Sequence, residues 1–311
     1  MGQQYRRDKA IRNASMFILL VMRRSMAQPT TARENRSSIT VRYNHPRSIS
    51  YVESIVEKAK ENGDRVISCR DKVYPKLLRG LSDSPPILFV RGDVEGAFSN
   101  TKSIAVVGTR WPTEHGIITT QRITKYFACK GWTIVSGLAI GLDTIAHKTA
   151  LECNARTAAV LAHGLDIIQP KQNTDLANSM VETGGVLVSE YPYNTTAFPS
   201  QFIERDRIQA GLARGVFMMQ SDVKGGSWHA SRAAMAYERM LLVPEPTAQD
   251  GERLESKIEG NRKIIGATKK DRANFLKCDI DALNNFFVIK GRNDYQYIEE
   301  KLKAIPPKID E

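Results

Sequence analysis

From residue 103 to about 245 the chain alternates short apolar runs with longer amphipathic stretches. The apolar runs fall at 104–107, 133–135, 157–161, 186–188, 216–219 and 240–243. Between them the spacing predicts helices near 113–130, 143–153, 173–183, 200–213 and 228–239. Strands separated by helical stretches predict parallel βαβ units. Runs without polar alternation predict a sheet covered on both faces. The expected class is therefore α/β, a doubly wound, mostly parallel sheet. Upstream, Val52, Ile55, Val56 and Ala59 form the apolar face of a helix over about 50–62. Ser50 and Glu53 read as its capping box and Gly63 as its stop. Residues 74–93 hold the Pro85-Pro86 break and then a short strand, ILFV. The stretch 246–311 is charged and mixed, with a final helix expected near 295–304.

Two of the strands end in glycine turns that lead into helices. The first reads SIAVVGTR, residues 103–110; the second reads WTIVSGLAIGLD, residues 132–143. A turn of this kind presents backbone amides and a helix N-terminus to a phosphate. Arg110 adds a guanidinium to the first turn, beside Gly108 and Thr109, and Gly137 and Gly141 open the second. Neither turn is G-x-G-x-x-G, and no acidic residue follows at the spacing that holds a ribose, so a nicotinamide dinucleotide site is not expected. The bland reading of these glycines is tight strand-to-helix packing. Asp143 reads as a helix N-cap and His147 as a packing residue. FPSQFIERDRIQAGLA has helical spacing and sets Arg205 and Arg207 early in a helix, where the macrodipole disfavours cations. Either a bound anion or a salt bridge to Glu204, Asp206 or Glu190 resolves that conflict. Lys224, Gly225, Gly226 and Ser227 form a third turn that reads equally as a phosphate cradle or a surface loop. Few exposed aromatics are expected for base stacking.

Charge changes the picture mainly at one end. The formal net charge is +11, and residues 1–47 hold ten Arg and Lys against only Asp8 and Glu34. Those residues read as a basic, unstructured arm, or as a segment upstream of a start at Met26. Their apolar run, 16–22, is too short to span a bilayer, and Arg23-Arg24 stand where a signal-peptide cleavage site would need small residues. Four cysteines without a C-x-x-C pair, and five histidines without metal spacing, favour a reduced cytoplasmic setting with no metal and no cofactor.

An ordered series of segments extends these readings. VVGTR, GWTIVSGLAIGLDTIAH, TAAVLAHGLDIIQPKQN, GGVLVSEYP and FPSQFIERDRIQAGLA are followed by GGSWHASRAAMAYERMLLVPEP and GNRKIIGA, and preceded by YPKLLRGLSDSPPILFVRGD. Over about residues 70–268 the chain resembles the DprA/Smf family of DNA-processing proteins. The resemblance implies a Rossmann-like fold, single-stranded DNA binding without chemistry, a homodimer, and loading of a RecA-type recombinase in DNA recombination or natural transformation. It puts the family's Gly-Ser/Thr-Arg turn on Gly108, Thr109 and Arg110, and its Arg-Asn-Arg helix start on Arg205, Asp206 and Arg207. It adds Lys171, Asn173 and Asn261 as further nucleic-acid candidates. Asp206 stands where the family has Asn, Ile140 where it has Arg, and Gln169 where it has Tyr. The implied organisation is an arm over 1–47, an N-terminal subdomain over 48–100, a core over 101–268 and a short extension over 269–311 without a winged helix. A second class stays open: a nucleotide sensor or antitoxin-like regulator in phage defence on the same fold. The related nucleotide phosphoribohydrolases carry P-G-G-x-G-T-x-x-E. The matching stretch here, KGGSWHASRAAMAYE, lacks the second Gly-Thr and reaches its first Glu only at Glu238, which argues against an enzyme.

Overall fold

The computed structural model describes residues 46–247, 250 and 255–305. The expected basic arm falls on 1–45, outside the described residues; positions 46 and 47 already belong to a helix. Helix α1 spans Pro46–Glu61 and is followed by strand β1, Arg65–Ser68. Gly63 joins them at φ +69°, a left-handed conformation that suits glycine. Ser50 lies inside α1, so the expected capping box is not the start of this helix. Two short helices, α2 (Lys76–Arg79) and α3 (Val94–Phe98), flank β2, Ile87–Gly92.

The alternating region folds into β3 (Ser103–Val107), α4 (Glu114–Ala128), β4 (Thr133–Ser136), α5 (Leu142–Glu152), β5 (Thr157–Leu161), α6 (Thr174–Glu182), β6 (Val186–Ser189), α7 (Pro199–Gly211), β7 (Gly215–Met218), α8 (Ser227–Ala236) and β8 (Met240–Pro244). Helices α9 (Glu259–Gly266) and α10 (Lys269–Leu276), strand β9 (Phe286–Ile289) and helix α11 (Asp294–Ala304) complete the described chain. The nine strands make one sheet in the order β1-β2-β6-β5-β4-β3-β7-β8-β9. Strands β3 to β9 pair in parallel, while β1 and β2 join antiparallel at one edge. Strands from segments 48–100 and 269–311 thus extend the same sheet as the central region.

Every residue of β3, β4, β5 and β7 is buried, as a sheet covered on both faces requires. Successive side chains point to opposite faces. Ala105, Val135, Val160, Val216 and Val243 face a core shared with α7 and α8. Ile104, Ile134, Phe217 and Leu242 face Phe127 and Trp132 in a second core with α4, α5 and α11. Beside that core on the same face, Phe89, Ala159 and Leu187 pack against α1 and α6.

The topology locates the site. From β3 the chain steps outward through β4, β5 and β6, then returns through α7 to place β7 on the other side of β3. The winding reverses between β3 and β7, and the turns after these strands diverge into a crevice at their C-terminal ends. Among the described residues no helix is long and apolar enough to cross a membrane.

Candidate nucleic-acid interface

The crevice is a cavity of about 280 Å³, lined by the turn after β3, the start of α5, the first turns of α7 and the loop from β7 into α8. Its first wall is Gly108-Thr109-Arg110. A Cβ at Gly108 would lie 2.4 Å from Leu142 Cδ1 and 3.2 Å from the Gln220 carbonyl, so a side chain here would have to displace the buried Leu142 at the α5 start. The Thr109 amide donates to the Gln220 carbonyl at 2.8 Å, and the Leu142 amide donates to the Thr109 carbonyl at 3.2 Å. Gly141, at φ +83°, abuts the Arg110 backbone from the other side, where a Cβ would come within 2.6 Å. The backbone of Arg110 is therefore fixed by three segments while its side chain is exposed. The guanidinium lies 5.7 Å from the centre of the Phe202 ring. Among the described residues no carboxylate stands within ion-pair distance of it: Asp143 accepts backbone amides and Glu190 pairs elsewhere.

The floor comes from α7 and α5. Arg205 is 5% exposed, and its guanidinium runs under Gly137, whose Cβ would sit 1.4 Å from Nη1. Nη1 donates to the Val160 carbonyl at 3.0 Å, and Nε stands 3.3 Å from Asp206 Oδ1. Asp206 Oδ1 also accepts from Gln209 Nε2 at 2.9 Å. Burial is the main force on Asp206, raising its carboxyl to about 7; Arg205 opposes the shift and Asp143 adds to it. Burial likewise raises Asp143. The sequence suggests Asp143 as the N-cap of α5, but Gly141 occupies that position. The Asp143 carboxylate instead folds back to accept the Gly137 and Ala139 amides at 3.1 and 3.3 Å. His147 is fully buried against Thr157 Oγ1 at 2.6 Å, and desolvation lowers it to about 3. It packs, as its position one turn into α5 suggests, and does not reach the cavity.

The third wall is Gly225-Gly226-Ser227 at the start of α8. Gly225 fits against Ser221 Oγ, which a Cβ would approach to 2.5 Å, and Ser227 Oγ donates to that same oxygen. Lys257 reaches the rim and pairs with Asp222 at 3.7 Å.

The other candidates lie apart from the cavity. Arg207 points away from it to Glu190 at 2.6 Å and Asp83 at 4.0 Å, which is the salt-bridge alternative. Asn173 is buried, and its Nδ2 donates to the Leu138 carbonyl and Thr144 Oγ1, bracing the loop after β4. Asn261 accepts the Ser221 amide and donates to the Met219 carbonyl, bracing the loop after β7. Lys171 and Lys224 are exposed but do not line the crevice. In contrast to the expectation of few exposed aromatics, Trp111 is 69% exposed at the mouth and Phe202 forms part of its wall. The signal available for Trp111 is an aromatic placed directly after the Gly-Thr-Arg turn and before the Thr113 cap of α4.

Known proteins share this arrangement of elements. The family described as DNA recombination-mediator protein A matches residues 65–285. The DNA processing protein DprA of Bacillus subtilis is 38% identical over 184 residues, covering 59% of this chain and 61% of that protein. Protein Smf of Synechocystis is 34% identical over 214 residues, covering 68% and 54%. The chain thus spans about half to three-fifths of the length of the curated relatives it matches. Among solved structures, DNA processing protein A of Streptococcus pneumoniae superposes with a TM-score of 0.63 at 23% identity, covering 92% of each chain. That of Helicobacter pylori, whose structure describes a single-stranded DNA binding mode, gives 0.61 at 24% identity, covering 77% of this chain and 95% of that one. The fold is shared with both.

Proposed function

The chain belongs to the DNA recombination-mediator protein A family, and from that premise we propose that it binds single-stranded DNA at the crevice between β3 and β7 and acts as a non-catalytic recombination mediator. The observation that carries this reading is Arg110. It is a guanidinium without an ion pair among the described residues, exposed at the winding reversal, with its backbone locked by Gly108 and Gly141. Across the crevice, Gly226 and Ser227 offer backbone amides at the N-terminus of a ten-residue helix, while the Gly225 amide is taken by the Asp222 carbonyl. Arg110 and these amides hold a phosphate at the rim, and Lys257 adds charge. Trp111 offers a face for a neighbouring base. Arg205 and Arg207 are already matched by carboxylates, so they shape the site without carrying its free charge. Handing the bound strand to a RecA-type recombinase, and dimerisation while doing so, complete the proposal.

The test is binding of labelled oligothymidylate by fluorescence anisotropy, alongside thermal melting of the same samples. Arg110→Ala is expected to weaken binding by about 1.5–3 kcal/mol, the range for hydrogen bonds to charged groups, with an unchanged melting temperature. Arg110→Lys restores only part of the affinity, because an ammonium keeps the charge and loses the planar fork. Full affinity in Arg110→Ala overturns the assignment.

A further inference from the structure

We propose that the crevice reads one base of the bound strand, and that Asp206 makes it favour guanine, the base with two adjacent N–H donors on one edge. The inference rests on the single-stranded DNA reading and adds a specificity to it.

The cavity is polarised along its depth. Its rim carries Arg110 and Lys257, and its floor carries Asp143 and Asp206 around Arg205. A phosphate pushed to the floor would meet two carboxylates sharing one buried guanidinium, so the anion stays at the rim. What enters the floor must be neutral and must donate hydrogen bonds. The floor has acceptors to spare. Asp143 Oδ2 is taken by the Gly137 and Ala139 amides. Asp206 Oδ1 is taken by Gln209 and the Arg205 ion pair, and Asp206 Oδ2 has no such partner among the described residues. Gln209 is 2% exposed, and its Oε1 has no hydrogen-bond partner; Arg205 Nε faces Asp206 without a formed hydrogen bond. Buried polar atoms are normally paired, so an unpartnered acceptor and an unpartnered donor, both shielded from solvent behind the unpartnered Asp206 Oδ2, make this an unusual cavity lining.

Among the DNA bases, guanine sets two N–H donors beside one carbonyl on its pairing edge. Adenine and cytosine place a ring acceptor next to their amino group, and thymine offers one N–H between two carbonyls. The cavity volume, about 280 Å³, falls just below the ~300–1,000 Å³ range of small-molecule sites, which suits one base more than a larger ligand. Trp111 and Phe202 at the mouth give the base an aromatic wall to slide past.

The experiment compares oligothymidylates that carry a single central guanine, inosine or adenine, bound to the full chain at pH 8. Inosine differs from guanine by the 2-amino group alone. The guanine oligonucleotide is expected to bind about tenfold tighter than the other two. In Asp206→Ala that ratio should fall to about one. Asp206→Asn, which keeps the shape, serves as the second variant and should reduce the ratio at least about threefold. Equal affinity for guanine and inosine in the native chain, or a guanine preference that survives Asp206→Ala, overturns the inference. Tight binding that is blind to the base removes this proposal and leaves the DNA-binding reading standing; no binding to any oligonucleotide removes both.

Discussion

Arg205 and Arg207 lie two residues apart on α7 and serve opposite ends. Arg205 turns into the crevice floor and meets Asp206 and the Val160 carbonyl; Arg207 turns out of it to Glu190. The residue between them, Asp206, sets the electrostatics of the cavity. The groups that face it are Arg205 and Gln209 from its own helix, Asp143 from α5 and Arg110 from the turn after β3. With its carboxyl raised to about 7, Asp206 is protonated below neutral pH and charged above it. Single-stranded DNA affinity at constant salt should therefore rise a few-fold between pH 8 and pH 6, as one negative charge leaves the site. Discrimination between guanine and inosine should fall over the same range. Asp206→Asn should bind with nearly the same affinity at both pH values, and a slope equal to that of the native chain refutes the assignment. The stability linkage has a definite sign. A carboxyl raised in the fold contributes stability that is present below its unfolded value, near 3.9, and lost as pH rises through about 7. At ~1.4 kcal/mol per unit the full loss is at most about 4 kcal/mol. Asp206→Asn should thus raise the melting temperature more at pH 8 than at pH 5.

At the scale of elements, the turns between strands and helices divide into those that are packed and those that are open. Gly137 closes β4 directly over Arg205, whereas Gly226 at the start of α8 has a negative φ, and a Cβ there would meet nothing within 4 Å. Gly137→Ala should expel the Arg205 guanidinium from its seat and cost about 1–3 kcal/mol of stability, the penalty for a buried polar group without its partner. Gly226→Ala should melt within a degree or two of the native chain. Differential scanning fluorimetry of the two variants checks the contrast, and equal melting temperatures would refute it. The same distinction explains what the chain pattern reveals. Strands β3 to β8 announce themselves because each is a continuous apolar run ending at a turn. Strand β1, RVIS, is four residues beginning with an exposed Arg65, and β9, FFVI, is mostly half-buried, so neither stands out from its charged surroundings. The Gly108–Arg110 turn, directly after β3, and the Gly225–Ser227 turn, at the start of α8, are legible as glycine turns, though the same pattern reads equally as strand-to-helix packing or a surface loop. The roles of Asn173 and Asn261 are not legible, since the groups they brace lie 29 to 42 residues away and no local pattern records that distance. Trp111 escapes the pattern because a lone exposed aromatic carries no periodicity.

Across the whole molecule, the question is how the excess charge is used. Of the net +11, most belongs to residues 1–47, outside the sheet that forms the crevice. The crevice itself is nearly balanced, with Arg110 and Lys257 at the rim set against Asp143, Asp206 and Asp222 around Arg205. On the proposed reading a site so balanced would hold a few phosphates by geometry, and the basic residues of the N-terminal segment would add longer-range attraction. The two contributions separate by salt. Each phosphate neutralised on a single strand contributes about −0.7 to the slope of log K against log salt, so four to six contacts give about −3 to −4. Removing residues 1–45, which spares α1 at Pro46, should make the slope shallower by one to two contacts' worth, roughly 0.7 to 1.4, and slow association. It should leave the melting temperature and the effect of Arg110→Ala intact. Anisotropy titrations at several salt concentrations measure both slopes on one oligonucleotide. A truncated chain with the native slope would place all of the counterion release at the crevice. A native chain whose affinity does not change with salt would contradict phosphate recognition at either place.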